Sequence, residues 1–148
     1  MPKKPSSADA QLILQLYDLR REAEMRKARA WWVGFWPEKA DDIVEVINGF
    51  GTEENTWYRQ VSGYWDMAAL LVLHGTLNEE LFIDCNGEMW FIFCKLNPFL
   101  KEVRAKMQMP QMMAHVEKLA KKSKTGRDRL ASLEKRFSAR RSATASKS

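Results

Sequence analysis

The sequence predicts an all-α fold: a compact bundle of about seven helices around an apolar helix at 57–74, followed by a basic C-terminal helix and tail. Three observations lead there. Apolar residues recur at steps of three and four in one segment after another. Proline, glycine and small polar residues punctuate those segments where helix ends favour them. The composition, 45% apolar and 29% charged over 148 residues, suits one globular core and not a disordered chain.

The opening "MPKKPSS" is short, basic and rich in Pro and Ser, a flexible leader over 1–7. Ser6 and Asp9 have capping-box spacing, so a first helix starts near Ala8. Leu12, Leu16, Leu19, Ala23 and Ala30 share one face and predict a single long helix to about Phe35. Pro37 stops it, because proline lacks an N–H and pushes Trp36 out of helical geometry. A shorter helix follows over about 38–48, with Ile43, Val44 and Ile47 as its apolar face and Gly49 and Gly51 as its stop. In the next, Trp57, Val61, Tyr64, Trp65, Ala68, Leu71 and Val72 repeat at helical spacing, and from Met67 to Leu73 the surface is apolar all round. That pattern places this helix at the centre. Thr52 or Asn55 caps its start and Gly75 closes it.

The segment "LFIDCNGEMWFIFC", residues 81–94, admits two readings. Asn86-Gly87 between two apolar runs is a hairpin signal. The runs do not alternate, however, and Asn78 followed by acids offers a helix start, which favours two short buried helices. Pro98 then opens a helix with Phe99, Leu100, Val103 and Met107 on one face, and Pro110 opens another over "QMMAHVEKLAKK". After Lys122 the stretch "SKTG" breaks the pattern. The helical domain therefore spans 8–122. Residues 123–148 form a basic helix with Leu130, Leu133 and Phe137 as apolar contacts, trailing into a low-complexity, disordered end.

The net charge of +5 conceals a split: residues 118–148 carry eleven Lys and Arg against two acids, and the rest carry thirteen bases against seventeen acids. No secretory leader is visible, and the longest apolar runs, 67–73 and 89–94, fall far short of the ~20 residues of a membrane span. Cys85 and Cys94 read as reduced thiols, so the expected location is the cytoplasm. His74 and His115 stand apart from any metal-ligand spacing, with His74 best read as a helix-end residue. Phosphate-cradling and nucleophile-elbow motifs are missing, so no metal or cofactor is expected.

Four groups remain as functional candidates. "RKARAWWVGFWP", residues 26–37, sets aromatics behind bases. An interfacial helix would separate those faces, and here they mix, so the economical reading is a plug of Trp31, Phe35 and Trp36 between helices, with Trp32 left exposed as a partner contact. Met109, Met112 and Met113 extend that partner surface, although gap-filling in a core is the plainer role for methionine. Glu79, Glu80 and Asp84 cluster on one helix; they serve acid–base chemistry if burial separates their pKa values, and otherwise a charged first turn. Finally Lys121, Lys122, Lys124, Arg127, Arg136, Arg140 and Arg141 form a cationic strip, the footprint of a phosphate-binding element for nucleic acid or acidic lipid, or a solvated helix end.

The middle of the chain, "MAALLVLHG" and then "LNEELFIDCNGEMWFIFCKLNPFLKEVR" at 77–104, resembles the core of a broad, uncharacterised family of small helical bacterial proteins. Asn78, Glu80, Gly87, Trp90 and Arg104 match its pattern: a short buried helix, a glycine turn, an aromatic helix and an Arg-bearing helix. The resemblance implies a helical fold and no particular activity. Some members carry an N-terminal membrane anchor, which is not seen in this sequence. The expected function is a non-enzymatic protein-interaction module, with a nucleic-acid accessory protein as the alternative and a carboxylate enzyme as the third. Association of two copies is compatible with all three.

Overall fold

The computed structural model describes residues 3–147, and among them it holds nine α-helices and one 3₁₀ turn, with no strand. Ser6 caps α1 (Ser7–Leu19) through a capping box with Asp9. The single long helix expected to Phe35 is two helices, and α2 is Ala23–Gly34. No glycine or proline marks the break. The Glu22 carboxylate makes it, accepting the Met25 N–H at 2.9 Å and so finishing the first turn of α2. The break resets the helical phase, and the inward stripe of α2 becomes Met25, Ala28 and Trp32. Trp32, expected to face solvent, is therefore only 1% exposed.

Next come α3 (Ala40–Asn48) and α4 (Glu53–Leu73), the latter capped by the Thr52 hydroxyl at the Asn55 N–H. Residues 81–94 resolve into α5 (Glu79–Cys85) and α6 (Glu88–Leu96), with Asn86 extended between them. A 3₁₀ turn (Asn97–Phe99) leads into α7 (Leu100–Met107). Pro110 does not open the next helix. Gln108 and Met113 take left-handed φ of 54° and 57°, so the chain turns first and α8 begins at Ala114, ending at Lys122. Arg104 holds that turn, donating to the Met112 carbonyl at 3.0 and 2.7 Å and to Glu117 at 3.1 Å. Then α9 (Lys124–Ala145) stays helical past the point where composition predicts disorder.

Helix α4 packs against α2, α3, α5 and α8, while α6 packs against α8 and α9. Trp32, Trp65 and Trp90 are essentially fully buried, each hiding ~150–250 Å² and, at ~25 cal/mol/Å², contributing up to roughly 4–6 kcal/mol. A buried indole N–H needs a partner. Trp32 donates to the Trp57 carbonyl of α4 (3.3 Å), Trp65 to Glu88 of α6 (3.2 Å) and Trp90 to the Gly126 carbonyl of α9 (3.1 Å). The three bonds link α2, α4, α6 and α9 in series.

Short helices are unstable alone because their terminal N–H and C=O groups have no partner. Here distant side chains finish them. Asn55 donates to the Val46 and Ile47 carbonyls at the end of α3 (3.1 and 2.9 Å). Arg127 does the same for Lys121 and Lys122 at the end of α8, and Arg129 for Ile83 and Asn86 at the end of α5. At the start of α8, where Met113 provides no cap, Asp66 of α4 accepts the N–H groups of His115 and Val116, each at 3.1 Å.

The end of α2 has the least ordinary cap. Lys95 of α6 is fully buried and its ammonium donates to the carbonyls of Trp32 and Val33. It also lies 4.1 Å from the Trp36 ring centroid and 4.4 Å from that of Phe91. Burial, and after it the nearby Arg140, push the Lys95 ammonium down to about 7.

Candidate functional site: a cleft at the start of α5

A cleft of about 660 Å³ lies where the N-terminal segment, the end of α4, the start of α5 and the α8–α9 joint meet. Local rules build its rim. Helix α4 ends in a Schellman motif, with Gly75 at φ 77°, the Thr76 N–H on the Leu71 carbonyl and the Gly75 N–H on that of Val72, each at 3.0 Å. The chain then reverses, and the Asn78 side chain caps α5 at the Leu81 N–H (2.9 Å). Asp9 ties α1 to this corner, accepting the Asn78 N–H (2.9 Å), the Ser6 N–H (2.7 Å) and the Ser6 hydroxyl (2.9 Å). The Ser6 N–H, then that of Asn78, hold the Asp9 carboxyl below its ordinary range.

The sequence-predicted carboxylates gather here. Glu79, Glu80 and Asp84 all line the cleft, and so does Lys122 from the cationic strip. Glu79 pairs with Lys122 at 2.7 Å. Glu80 and Asp84 are exposed, one turn apart on α5, and among the described residues neither has an ion-pair or hydrogen-bond partner. Val72, Leu73 and Ile83 supply an apolar floor. The lining carries four carboxylates, Asp9, Glu79, Glu80 and Asp84, against the ammonium groups of Lys3 and Lys122. A general acid needs a carboxyl pushed up by burial. Asp9 is held the opposite way, Glu79 is paired, and the other two face water.

The remaining candidates do not assemble. Trp32 lies in the core, and Met113 is 5% exposed, because its left-handed turn points it inward at the start of α8. Met112 is half-buried, with its sulfur 3.7 Å from the Tyr58 hydroxyl, so Met109 alone of the three methionines is exposed. The cationic strip is dispersed. Lys121 pairs with Glu117 (3.1 Å) and Lys124 with Asp128 (2.7 Å), Arg127 caps α8, and Arg140 and Arg141 lie over the rings of Trp36 and Phe99. Arg136 faces solvent.

Two constellations escaped the sequence reading. Glu88, at the start of α6, receives Arg20 (3.1 Å), Arg29 (2.7 Å) and the Trp65 indole (3.2 Å), joining both arms of the α1–α2 break to α4 and α6. His115 Nδ1 lies 2.8 Å from Asp66, so the carboxylate that caps α8 also orients the imidazole. Both depend on partners between 23 and 68 positions apart, beyond the reach of local spacing. For Lys95 one local signal existed: a lone lysine inside the apolar run "FIFCKL".

Fold and cleft together define a small domain, all-helical among the described residues, with an open corner of mixed charge. The chain belongs to the family described as "Domain of unknown function (DUF4760)", whose profile matches residues 5–123. That match ends one residue before α9. Neither a curated protein nor a solved structure matches the chain. Among the described residues no helix is long and apolar enough to cross a membrane, and no cluster of His, Cys, Asp or Glu is arranged to hold a metal ion.

Proposed function

We propose that the protein is a non-catalytic protein-interaction module of the bacterial cytoplasm, built around α4, whose cleft at the start of α5 takes a Lys- or Arg-bearing segment of another protein. The carrying observation is the pair of unpartnered carboxylates, Glu80 and Asp84, standing over an apolar floor in a lining richer in acids than in bases. A cationic side chain has attraction there, and its methylene stem has Val72, Leu73 and Ile83 to lie against. The free thiols Cys85 and Cys94 fit a reducing compartment. Nucleic-acid binding draws less support, because most tail cations are engaged by carboxylates, carbonyls or rings.

The test is a fluorescence-anisotropy titration of a short labelled Lys/Arg-rich peptide, with a single-stranded oligonucleotide in parallel. Exposed charges each contribute ~0.2–1 kcal/mol, so Glu80→Gln with Asp84→Asn weakens peptide binding roughly two- to thirtyfold. Equal binding by the double variant, or no binding at low salt, overturns the reading. Binding of the oligonucleotide in place of the peptide moves function to α9.

A further inference from the structure

The two halves of α9 are held very differently. The first is locked down: the Trp90 indole donates to the Gly126 carbonyl, Arg127 and Arg129 cap two other helices, and Leu130 is buried. From Ala131 onward, Phe137 is the buried anchor and Leu133 is half-buried. Ala131, Ser132, Lys135, Arg136, Ser138 and Ala139 all face water. Asn97 and Glu134 share one exposed hydrogen bond of 3.0 Å.

What this second half covers is unusual. Phe137 packs edge-on against Trp36 (4.8 Å) and Phe91 (5.5 Å), closing the aromatic compartment that holds Lys95. Arg140 lies over the same Trp36 ring as Lys95, each 4.1 Å from its centroid. The two cations repel one another, and Arg140 contributes to the depressed Lys95 ammonium. Cys94, 1% exposed, lies beneath this stretch, with Glu134 and Arg141 of α9 as the charged groups acting on its thiol.

We propose that the second half of α9 is a latch: residues 131–145 release from α6 while the first half stays docked, baring Cys94, Lys95 and the rings of Trp36 and Phe91. Its one buried apolar anchor is Phe137, backed by half-buried Leu133 and by Arg141 over the Phe99 ring; its outer face is solvated, and Arg140 closes onto a ring already claimed by another cation. Such segments populate the low end of a protein's local stability. Phe137 is the bolt of this latch.

The two thiols make the opening measurable. In a Cys85→Ser background Cys94 is the remaining cysteine, and its reaction with a small maleimide in the full chain reports exposure. A latch that opens locally exposes little surface, so labelling in native buffer is nearly independent of low urea and exceeds the rate set by global unfolding at least ~10-fold. Phe137→Ala then accelerates it by a further ~10-fold or more. Labelling that follows the global unfolding free energy at every urea concentration overturns the proposal. The Cys85→Ser protein decides this by itself, even where Phe137→Ala fails to fold.

Discussion

One substitution, glycine to alanine, should act with opposite sign at two places in this protein. Both Gly63, in the middle of α4, and Gly126, in the first turn of α9, are helical, and propensity alone favours alanine at each by up to ~1 kcal/mol. At Gly63 a Cβ meets nothing within 4 Å, so the full gain of ~0.5–1 kcal/mol is expected, or a rise in Tm of ~2–4 °C. At Gly126 a Cβ falls 2.6 Å from the Ala120 carbonyl oxygen and 3.2 Å from the Ser123 hydroxyl. The first of these atoms is backbone, so relief requires α9 to retreat from α8. That movement strains the Ser123 cap and lengthens the bond from the buried Trp90 indole to the Gly126 carbonyl. Overpacking costs ~1–3 kcal/mol and a weakened bond to a buried donor ~1 kcal/mol or more, while propensity returns at most ~1. The net is a loss of about 2 kcal/mol and a fall in Tm of ~4–8 °C. Thermal and urea unfolding followed by circular dichroism measure both variants. Equal stabilisation by the two substitutions would refute the claim that α8 and α9 meet backbone to backbone at this joint.

Two further outcomes follow from the caps. Lys95 sits at about 7 in the native state against 10.5 when free, so the folded protein holds fewer protons than the unfolded chain between those values; stability should rise with pH from 7 to 10, by at most ~1.4 kcal/mol per unit, and Lys95→Met should flatten that slope in urea melts taken across the range. An unchanged slope would show that the ammonium is not the titrating group. Asp66→Ala removes the acceptor for two α8 N–H groups and should cost ~0.5–2 kcal/mol, with faster amide exchange at His115 and Val116 while α3 keeps its protection.

Much of the fold was legible because helix signals are local. The caps at Ser6 and Asn78 and the stop at Gly75 are read directly from residue type and spacing, and of the two candidates at the start of α4, Thr52 and Asn55, Thr52 is the cap. The division of 81–94 into two helices followed from the failure of its apolar residues to alternate. The α1–α2 break was not legible, since Arg20, Arg21 and Glu22 carry no helix-breaking type, and the error propagated into the wrong face for Trp32. Pro110 misled for a related reason: a proline suits a turn as well as a first helical position, and the left-handed Gln108 and Met113 decided for the turn. The carboxylates of the cleft were visible as a cluster on one helix. Their meeting with Lys122 and Lys3 was not, because only tertiary packing brings those segments together.

The cross-helix caps also bear on how this fold is inherited. Asn55, Lys95, Arg127 and Arg129 each grip a carbonyl belonging to another part of the chain, and a carbonyl is the same whatever side chain its residue bears. Each contact therefore constrains the identity of one position and leaves its partner free to vary. Paired substitutions, the trace that side chain to side chain contacts leave between homologues, have no reason to arise at these joints. As far as these contacts go, the exposed gripped positions, such as Val33, Lys121 and Lys122, can change side chain while the helices stay where they are. The joints that matter most to the architecture would then be among the hardest to detect by comparing sequences.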